Sequence, residues 1–252
     1  MKALGVIPAR AGATRFPGKP LALLRGRPLV AHVWERARAC PALDRVVIAT
    51  DDEAIASAAR GFGAEALLTR VDHPSGTDRV AEVAARPEFA DYAVVANVQG
   101  DEPRLDPAAL AAAIAPVAAG EAVLSTLAHV ETDAAAFASP HVVQVRIDER
   151  GDALDFSRQP RGDAPPFLRH VGLYVFARDT LLRFASLPPS PREVATRLEQ
   201  LRALDHGIIV RVVITPYASR GVDTPADLAA LERDWDSLLG GDATAPSWEA
   251  PR

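Results

Sequence analysis

The chain has 252 residues, 48% of them hydrophobic and 24% charged, which is enough to bury a full core without a disulfide or metal staple. Its single cysteine, Cys40, excludes a disulfide framework, and its formal net charge of −5 argues against a general nucleic-acid surface. No run approaches the roughly 18 to 20 apolar residues that span a bilayer, and a strand-like run begins at Ala3, so we expect a cytoplasmic protein without membrane or nucleic-acid partners.

Short β-branched runs alternate with Ala-rich amphipathic stretches, which is the pattern of βαβ units. The predicted strands are, in chain order, Ala3–Pro8, Arg45–Thr50, Glu65–Leu68, Tyr92–Val98, Ala122–His129, Val142–Ile147, His170–Phe176 and Ile208–Thr215. The predicted helices are Pro28–Cys40, Asp52–Phe62, Gly76–Ala85, Pro107–Val117, Asp179–Ser186, Pro191–Leu204 and Pro225–Leu238. The pattern therefore predicts an α/β fold with a mostly parallel central sheet.

The stretch from about residue 125 to 176 carries predicted strands without predicted helices between them. We therefore expect an antiparallel addition to the sheet that covers a substrate or pairs with a second subunit in a homodimer. Residues 1–239 are predicted to form a single domain. The tail 240–252, rich in Gly, Ala and Pro, is predicted to be disordered.

Residues 8–20, with the sequence PARAGATRFPGKP, directly follow the first predicted strand. Ligands of open α/β sheets bind at loops that leave the carboxyl ends of strands. This loop carries Arg10, Arg15 and Lys19 beside glycines whose backbone amides can approach an anion, so a triphosphate suits it. It is not a P-loop, because five residues separate its two glycines and a proline follows Lys19. The alternative is a solvated basic turn, but three cations in one strand-exit loop favour phosphate.

Two aspartates are candidate magnesium ligands. Asp101 follows the apolar run Val94–Val98 in a glycine-containing turn, where a strand ends, and Asp223 directly precedes a predicted helix start. Each residue alone is also explained structurally, Asp101 as a turn residue and Asp223 as part of a helix cap.

The loop, in the form PAR-x-x-x-TR-F-PGKPL, resembles the 3-deoxy-manno-octulosonate cytidylyltransferase (CMP-Kdo synthetase) family. Further blocks resemble the family in order along nearly the whole chain: ATDD at 49–52, LTRVDHPSGTDR at 68–79, NVQGDEP at 97–103, FSR at 156–158, FLRHVGLY at 167–174, LEQLR at 198–202 and GVDTP at 221–225. The resemblance implies a Rossmann-like nucleotidyltransferase fold. It also implies transfer of CMP from CTP to an eight-carbon sugar acid, for lipopolysaccharide or capsule synthesis.

The implied chemistry builds negative charge on the α-phosphate and the pyrophosphate leaving group, so cations and a hard divalent metal ion should surround them. The resemblance assigns Mg²⁺ to Asp101 and Asp223, which complete a catalytic set with Arg10, Arg15 and Lys19. No Ser-His-Asp or Cys-His arrangement indicates a covalent intermediate, so direct displacement is favoured.

The resemblance also implies two sets of binding residues. For the nucleotide they are Ala9, Arg10, Lys19, Thr69, Arg70, Ser75, Gly76 and Gln99. For the sugar acid they are Gln99, Arg158, His170, Tyr174, Glu199 and Gln200, with Arg158 pairing with the carboxylate. Ser75 and Gly76 also suit a helix cap, His170 a core histidine, and Glu199 a solvated helix residue.

Four features depart from the family pattern. Ala13 stands where the family usually has Ser, Gln144 where it has Lys, and Thr196 where it has Glu; the segment between Arg158 and Phe167 is also shorter. Three functions therefore stay open. They are CMP transfer to 3-deoxy-D-manno-octulosonate (Kdo), CMP transfer to another acidic sugar such as 8-amino-Kdo or a nine-carbon ulosonate, and nucleotide binding without catalysis.

Overall fold

The computed structural model describes residues 1–12, 15–160, 162, 165–218 and 221–235. Its strands are β1 (Lys2–Ala9), β2 (Leu23–Leu24), β3 (Arg27–Pro28), β4 (Arg45–Thr50), β5 (Glu65–Leu68), β6 (Tyr92–Asn97), β7 (Leu124–Glu131), β8 (Gln144–Ile147), β9 (Ala153–Ser157), β10 (Phe167–Ala177) and β11 (Arg211–Ile214). Its α-helices are α1 (Leu29–Arg38), α2 (Glu53–Gly61), α3 (Gly76–Ala85), α4 (Pro107–Ala118), α5 (Ala134–Ala138), α6 (Arg178–Ser186), α7 (Pro191–Thr196), α8 (Gln200–Asp205) and α9 (Pro225–Asp234). Short 3-10 helices span Lys19–Leu21 and Pro87–Phe89.

The main sheet has the strand order β11-β7-β10-β6-β1-β4-β5. β5, β4, β1 and β6 form a parallel ladder, while β10 runs antiparallel to both β6 and β7. β7 therefore points in the same direction as β6, so the carboxyl ends of β1, β4, β6 and β7 lie at one edge of the sheet. The hairpin formed by β8 and β9 branches from the start of β10.

The hydrophobic core covers both faces of this sheet. Side chains of a strand alternate between faces, so on β1 Ile7 belongs to the cluster that includes Val30 of α1, and Val6 to the cluster that includes Val80 of α3. All four side chains are fully buried. Burial of successive residues on both faces explains why the early strands are continuous apolar runs.

Most predicted elements are confirmed, and β4, β5 and α3 have the predicted bounds. The predicted antiparallel addition is confirmed for β8, β9 and β10, but β7 has the direction of the central strands. The expectation that this stretch lacks helices is wrong, because the short helix α5 follows β7. Strand β9 was not predicted, since Asp155 interrupts a run of only five residues.

Other predictions depend on residues outside the described ranges. Residues 236–252 include the end of the predicted last helix and the tail expected to be disordered, and Ala13 also lies outside. Among the described residues, no helix is long and apolar enough to cross a membrane.

Candidate active site

A cleft of about 630 Å³ opens at the carboxyl edge of the sheet. Several residues predicted to bind the nucleotide or the metal line this cleft. They are Ala9, Arg10, Arg15, Lys19, Ser75, Gly76, Gln99, Asp101 and Asp223. The structure thus brings together residues from four separate parts of the chain.

Lys19 is placed by a tight turn at the end of the loop that follows β1. Gly18 has φ 69°, a left-handed conformation that glycine adopts without steric cost, and Pro20 lies at the start of the 3-10 helix. The Lys19 amide donates to the Phe16 carbonyl at 3.1 Å, which closes the turn. The side chain of Lys19 is 16% exposed and points at the two aspartates.

Lys19 holds both candidate metal ligands. Its Nζ lies 2.6 Å from Asp101 Oδ2 and 3.7 Å from Asp223 Oδ1, and it also donates to the Val222 carbonyl at 2.9 Å. Arg15 Nη2 donates to Asp223 Oδ1 at 3.0 Å. Two carboxylates and two cations therefore converge at one point of the cleft, although 208 residues separate Arg15 from Asp223.

The backbone around Asp101 is packed tightly against β1. A Cβ atom on Gly100 would lie 2.7 Å from the Pro8 carbonyl oxygen, so only glycine lets the turn approach β1 this closely. The Val222 amide donates to the Asp101 carbonyl at 2.9 Å, and this bond ties the Asp223 segment to the Asp101 turn. Asp101 is thus both a turn residue and part of the charged cluster.

Asp223 is not the cap of the helix that follows it. Thr224 caps α9, in a capping box with Asp227, as the Thr-Pro start signal indicates. The Asp223 side chain is therefore available to Arg15 and Lys19. Val222 is buried in a small apolar cluster with Leu24 and Leu29, against which Phe16 packs, and this cluster holds the two loops together.

Ser75 and Gly76, at the start of α3, form a second wall of the cleft beside the loop that follows β1. The Ser75 side chain caps α3 by accepting from the Asp78 amide at 3.2 Å, so the residue both caps a helix and lines the cleft. Thr69 is buried beneath the cleft, with its hydroxyl donating to the Thr50 carbonyl at 3.0 Å. Arg70 pairs with Asp72 on the surface at 2.7 Å. The structure does not place Thr69 or Arg70 in the cleft lining.

Three predicted sugar-acid residues lie together on the α3 side of the sheet. Tyr174, Glu199 and Gln200 line a cavity of about 10 Å³, which is too small for a sugar. Thr77 Oγ1 donates to Glu199 Oε2 at 2.6 Å, which fixes the carboxyl beside the start of α3. Burial raises the pKa of the Glu199 carboxyl, and hydrogen bonds from Thr77 and Ser75 oppose this shift. Glu199 is therefore not a solvated helix residue.

His170 and Arg158, also predicted to bind the sugar acid, line neither the cleft nor the small cavity. The His170 ring centroid is 5.6 Å from that of Tyr174, its Nε2 is 2.9 Å from Thr126 Oγ1, and burial lowers its pKa to about 3. His170 is thus neutral at physiological pH and can act only as a neutral hydrogen-bonding group. Arg158 Nη1 donates to the Thr196 carbonyl at 2.5 Å.

The prediction of one continuous helix over residues 191–204 is wrong, because the structure has two short helices there. α7 ends at Thr196, and Arg197 adopts a left-handed conformation with φ 56° and ψ 39° before α8 begins at Gln200. This break turns the Arg197 side chain into the cleft, where the sequence analysis did not place it. A positive φ at a residue other than glycine is unfavourable and often marks a functional position.

We expect Arg197→Gly to keep the fold and weaken nucleotide binding. Glycine retains the left-handed corner without steric cost, whereas the cation facing the cleft is lost. The Michaelis constant for CTP, KM, should rise about two- to fivefold, the scale of one exposed charged contact. Arg197→Lys, which keeps the charge, is the matched variant. Equal KM values in Arg197→Gly and wild type would leave Arg197 with a structural role only.

His73 and Arg79 also line the cleft without having been assigned a role. His73 Nε2 lies 2.5 Å from Glu82 Oε2, and Arg79 forms a buried ion pair with Asp51. In the sequence, His73 and Arg79 are indicated only by their place in the block 68–79. Neither belongs to a periodic pattern or to a motif with a defined spacing.

Gln144 and Thr196, two of the departures from the family pattern, each form a hydrogen bond through the side chain. Gln144 is buried on β8 and donates to the Phe137 carbonyl at 3.1 Å. Thr196 contacts Arg158 through its backbone carbonyl, while its hydroxyl donates to the Arg192 carbonyl. Neither side chain lies in the lining of the cleft.

A second cleft, of about 820 Å³, shares Arg15 and Asp223 with the first. It opens toward the end of β7 and the start of β10, where His129, Glu131 and Arg169 lie. Burial lowers the pKa of His129, and the Arg169 cation lowers it further. Asp223 therefore stands on the boundary between the two clefts.

Comparison with known proteins gives consistent matches. A family model described as cytidylyltransferase matches residues 4–211. A relative from Solibacter usitatus (strain Ellin6076), named 3-deoxy-manno-octulosonate cytidylyltransferase, is 49% identical over 239 residues, which are 92% of this chain and 94% of the relative. A relative of the same name from Nitratidesulfovibrio vulgaris (strain DP4) is 48% identical over 236 residues, 90% of this chain and 93% of the relative.

Solved structures agree with these relatives. The structure of a CMP:2-keto-3-deoxy-manno-octonic acid synthetase complexed with CTP matches with a TM-score of 0.88 at 39% identity, covering 95% of this chain and 100% of that one. A glucose-1-phosphate thymidylyltransferase structure from Bacillus anthracis matches with a TM-score of 0.67 at 13% identity, over 97% of this chain and 98% of that one. The second match concerns the fold alone.

Proposed function

The chain belongs to the 3-deoxy-manno-octulosonate cytidylyltransferase family, and we propose that it transfers the CMP half of CTP to the anomeric hydroxyl of Kdo and releases pyrophosphate. One observation of the structure carries the proposal. Lys19, Arg15, Asp101 and Asp223 converge in a cleft at the carboxyl edge of the sheet. This arrangement suits a triphosphate and a divalent cation, which the transfer of a nucleotidyl group requires.

In the proposed reaction the anomeric hydroxyl oxygen of Kdo attacks the α-phosphorus of CTP and its proton passes to solvent, while the bond from the α-phosphorus to the oxygen that bridges the β-phosphate breaks. Negative charge grows on the α-phosphate and on the departing pyrophosphate. Arg10, Arg15 and Lys19 supply positive charge from a single loop, so they stabilise this charge without large reorganisation. The cleft is partly enclosed, which strengthens these interactions relative to bulk water.

Magnesium suits the donor set of the cleft. Asp101 and Asp223 offer hard carboxylate oxygens that already converge on one cation, the Lys19 ammonium. No group of three or more His, Cys, Asp or Glu side chains that could hold a metal ion occurs within the described residues. This is compatible with Mg²⁺, which takes one or two carboxylates and completes its shell with substrate phosphates and water. When bound, it would polarise the phosphate oxygens.

The sugar acid is proposed to bind between the cleft wall formed by Ser75 and Gly76 and the group of Tyr174, Glu199 and Gln200. The position of Glu199 supports this placement, because Thr77 and Ser75 hold the Glu199 carboxyl beside the start of α3. The cavity beside Glu199 is small, so binding needs the neighbouring segments to move apart. His170, neutral in this setting, would accept or donate one hydrogen bond to a sugar hydroxyl.

Pyrophosphate release tests the proposal. Wild-type protein with CTP, Mg²⁺ and Kdo should release pyrophosphate, and release should stop without any one of them. 8-Amino-Kdo and a nine-carbon ulosonate serve as competing acceptors. Higher kcat/KM for either acceptor would overturn Kdo as the substrate, and no release with any acceptor would overturn catalysis. We further propose that the protein is cytoplasmic and forms a homodimer, and analytical ultracentrifugation tests the dimer.

Arg158→Ala is expected to raise the KM for Kdo about tenfold or more, with little change in the KM for CTP. A charge-assisted hydrogen bond to a carboxylate is worth about 1.5–3 kcal/mol, and Arg158→Lys should not restore it because lysine lacks the planar fork. Steady-state kinetics with each substrate varied in turn measures both constants. Arg150→Ala, at an exposed turn, is the matched control. An unchanged KM for Kdo in Arg158→Ala would remove Arg158 from the sugar site.

A further inference from the structure

An ion pair at the wall of the cleft, where Arg79 belongs to the lining, is not used by the proposed reaction. Arg79 Nη2 lies 2.8 Å from Asp51 Oδ2, and the two side chains are only 3% and 15% exposed. Asp51 directly follows β4, and Arg79 lies in the first turn of α3. The pair therefore joins the end of β4 to α3, the helix whose start, at Ser75 and Gly76, forms one wall of the cleft.

Both members of the pair also hold backbone that borders the cleft. Asp51 Oδ1 accepts from the amide of Ala11, which belongs to the cationic loop, at 3.3 Å. Arg79 Nη1 donates to Thr69 Oγ1 at 2.5 Å and to the Arg70 carbonyl at 3.1 Å. One ion pair thus connects the loop after β1, the turn after β4, the segment after β5 and the start of α3.

An ion pair is a poor way to stabilise a buried position, since desolvation of the two charges offsets much of their attraction. An apolar pair of similar volume would often serve stability equally well. It would not offer an acceptor to the Ala11 amide or a donor to the Arg70 carbonyl. The contacts that distinguish the charged pair are therefore those to the loop and to the segment beside it.

We propose that Arg79 and Asp51 are positioning residues that hold the cationic loop in place for the nucleotide. The inference rests on the proposed function, because it concerns the CTP half of the same site. Although Arg79 belongs to the lining of the cleft, its guanidinium is already bonded to Asp51, Thr69 and Arg70, so we assign it a positioning role through Asp51 and not a contact with the phosphates. Loss of the pair is expected to weaken CTP binding and leave recognition of the sugar acid unchanged.

Asp51→Asn and Arg79→Lys test this inference. Residues that orient a binding group typically change affinity by about 10- to 100-fold, so the KM for CTP should rise by at least about tenfold. The KM for Kdo should stay within about twofold of wild type. Calorimetric titration with CTP alone, without the sugar acid, should show the same loss of affinity.

The double variant Asp51→Leu/Arg79→Met separates positioning from stability. Apolar replacement of a buried ion pair is often neutral for folding, so the double variant should unfold near the wild-type Tm. Its affinity for CTP should nevertheless be lower than that of the wild type. Glu193→Gln is the matched control, because Glu193 forms a buried ion pair with Arg202 at 2.5 Å, in α7 and α8. Glu193→Gln should lower Tm and leave the KM for CTP unchanged.

Two results would overturn the inference. Wild-type CTP affinity in the folded double variant would show that the pair only supports the fold. A KM for CTP that rises equally in Asp51→Asn and in Glu193→Gln would show the same. Failure of the proposed function has a different signature: wild-type protein would release no pyrophosphate, whereas the calorimetric comparison between wild type and variants would still measure the effect of the pair on CTP binding.

Discussion

Asp101→Asn and Asp223→Asn are each expected to lower turnover by about 10³-fold while the protein stays folded. Loss of one group that stabilises transition-state charge has an effect of this size. A neutral amide is a poor ligand for magnesium, and each aspartate supplies one of two carboxylates in the cleft. kcat at saturating CTP and Mg²⁺ is the quantity to measure, because saturation removes effects on affinity alone.

The fold should tolerate both substitutions, because asparagine has the shape of aspartate and keeps one acceptor oxygen. The amide oxygen at position 101 can still accept from the Lys19 ammonium, which now lies 2.6 Å from the carboxylate. Asp106→Asn is the matched control, since Asp106 caps α4 and asparagine caps equally well. Turnover near wild type in Asp101→Asn or Asp223→Asn would remove that residue from the metal site.

Lys19→Ala is expected to lower turnover by about 10²- to 10³-fold and to weaken CTP binding more than Kdo binding. The ammonium is the cation shared by Asp101 and Asp223, and it is also the loop charge that faces the proposed triphosphate. Its removal leaves two carboxylates close together without their common partner. Calorimetry with CTP and with Kdo, each in the presence of Mg²⁺, measures the two affinities.

Mg²⁺ affinity without nucleotide gives a second measurement on Lys19→Ala. Removal of a positive charge beside two carboxylates favours a cation, so Mg²⁺ should bind at least as tightly as in wild type. Lys2→Ala, where the lysine forms an exposed pair with Asp91 at 3.7 Å, controls for loss of one positive charge. Unchanged CTP affinity in Lys19→Ala would contradict the role of Lys19 in binding the triphosphate.

Local structure could be predicted from the sequence wherever neighbouring residues determine it. The β-branched run of β4, the short run of β5 and the capped start of α3 appear with the predicted bounds, because local sequence patterns and capping depend on residues a few positions apart. The loop cations were found for a similar reason. In an α/β fold, ligands bind at loops that follow the carboxyl ends of strands, so such a loop can be identified without knowledge of long-range contacts.

The resemblance of the sequence blocks predicted more than these local patterns could. It identified the family and three residues of the cleft, Gln99 and Asp101 from one block and Asp223 from a block far along the chain. It also named Thr69 and Arg70, which the structure places beneath and beside the cleft. Sequence blocks show which segments belong to a site, but the direction of each side chain depends on packing.

The tertiary structure alone decided three features of this protein. β10 lies between β6 and β7, the helix predicted over 191–204 is interrupted at Arg197, and Arg79 pairs with Asp51 at the wall of the cleft. Strand order and buried ion pairs depend on contacts between residues far apart in the chain, which leave no periodic signal. The left-handed conformation of Arg197 opposes its local preference, so only the contacts of the folded chain can impose it.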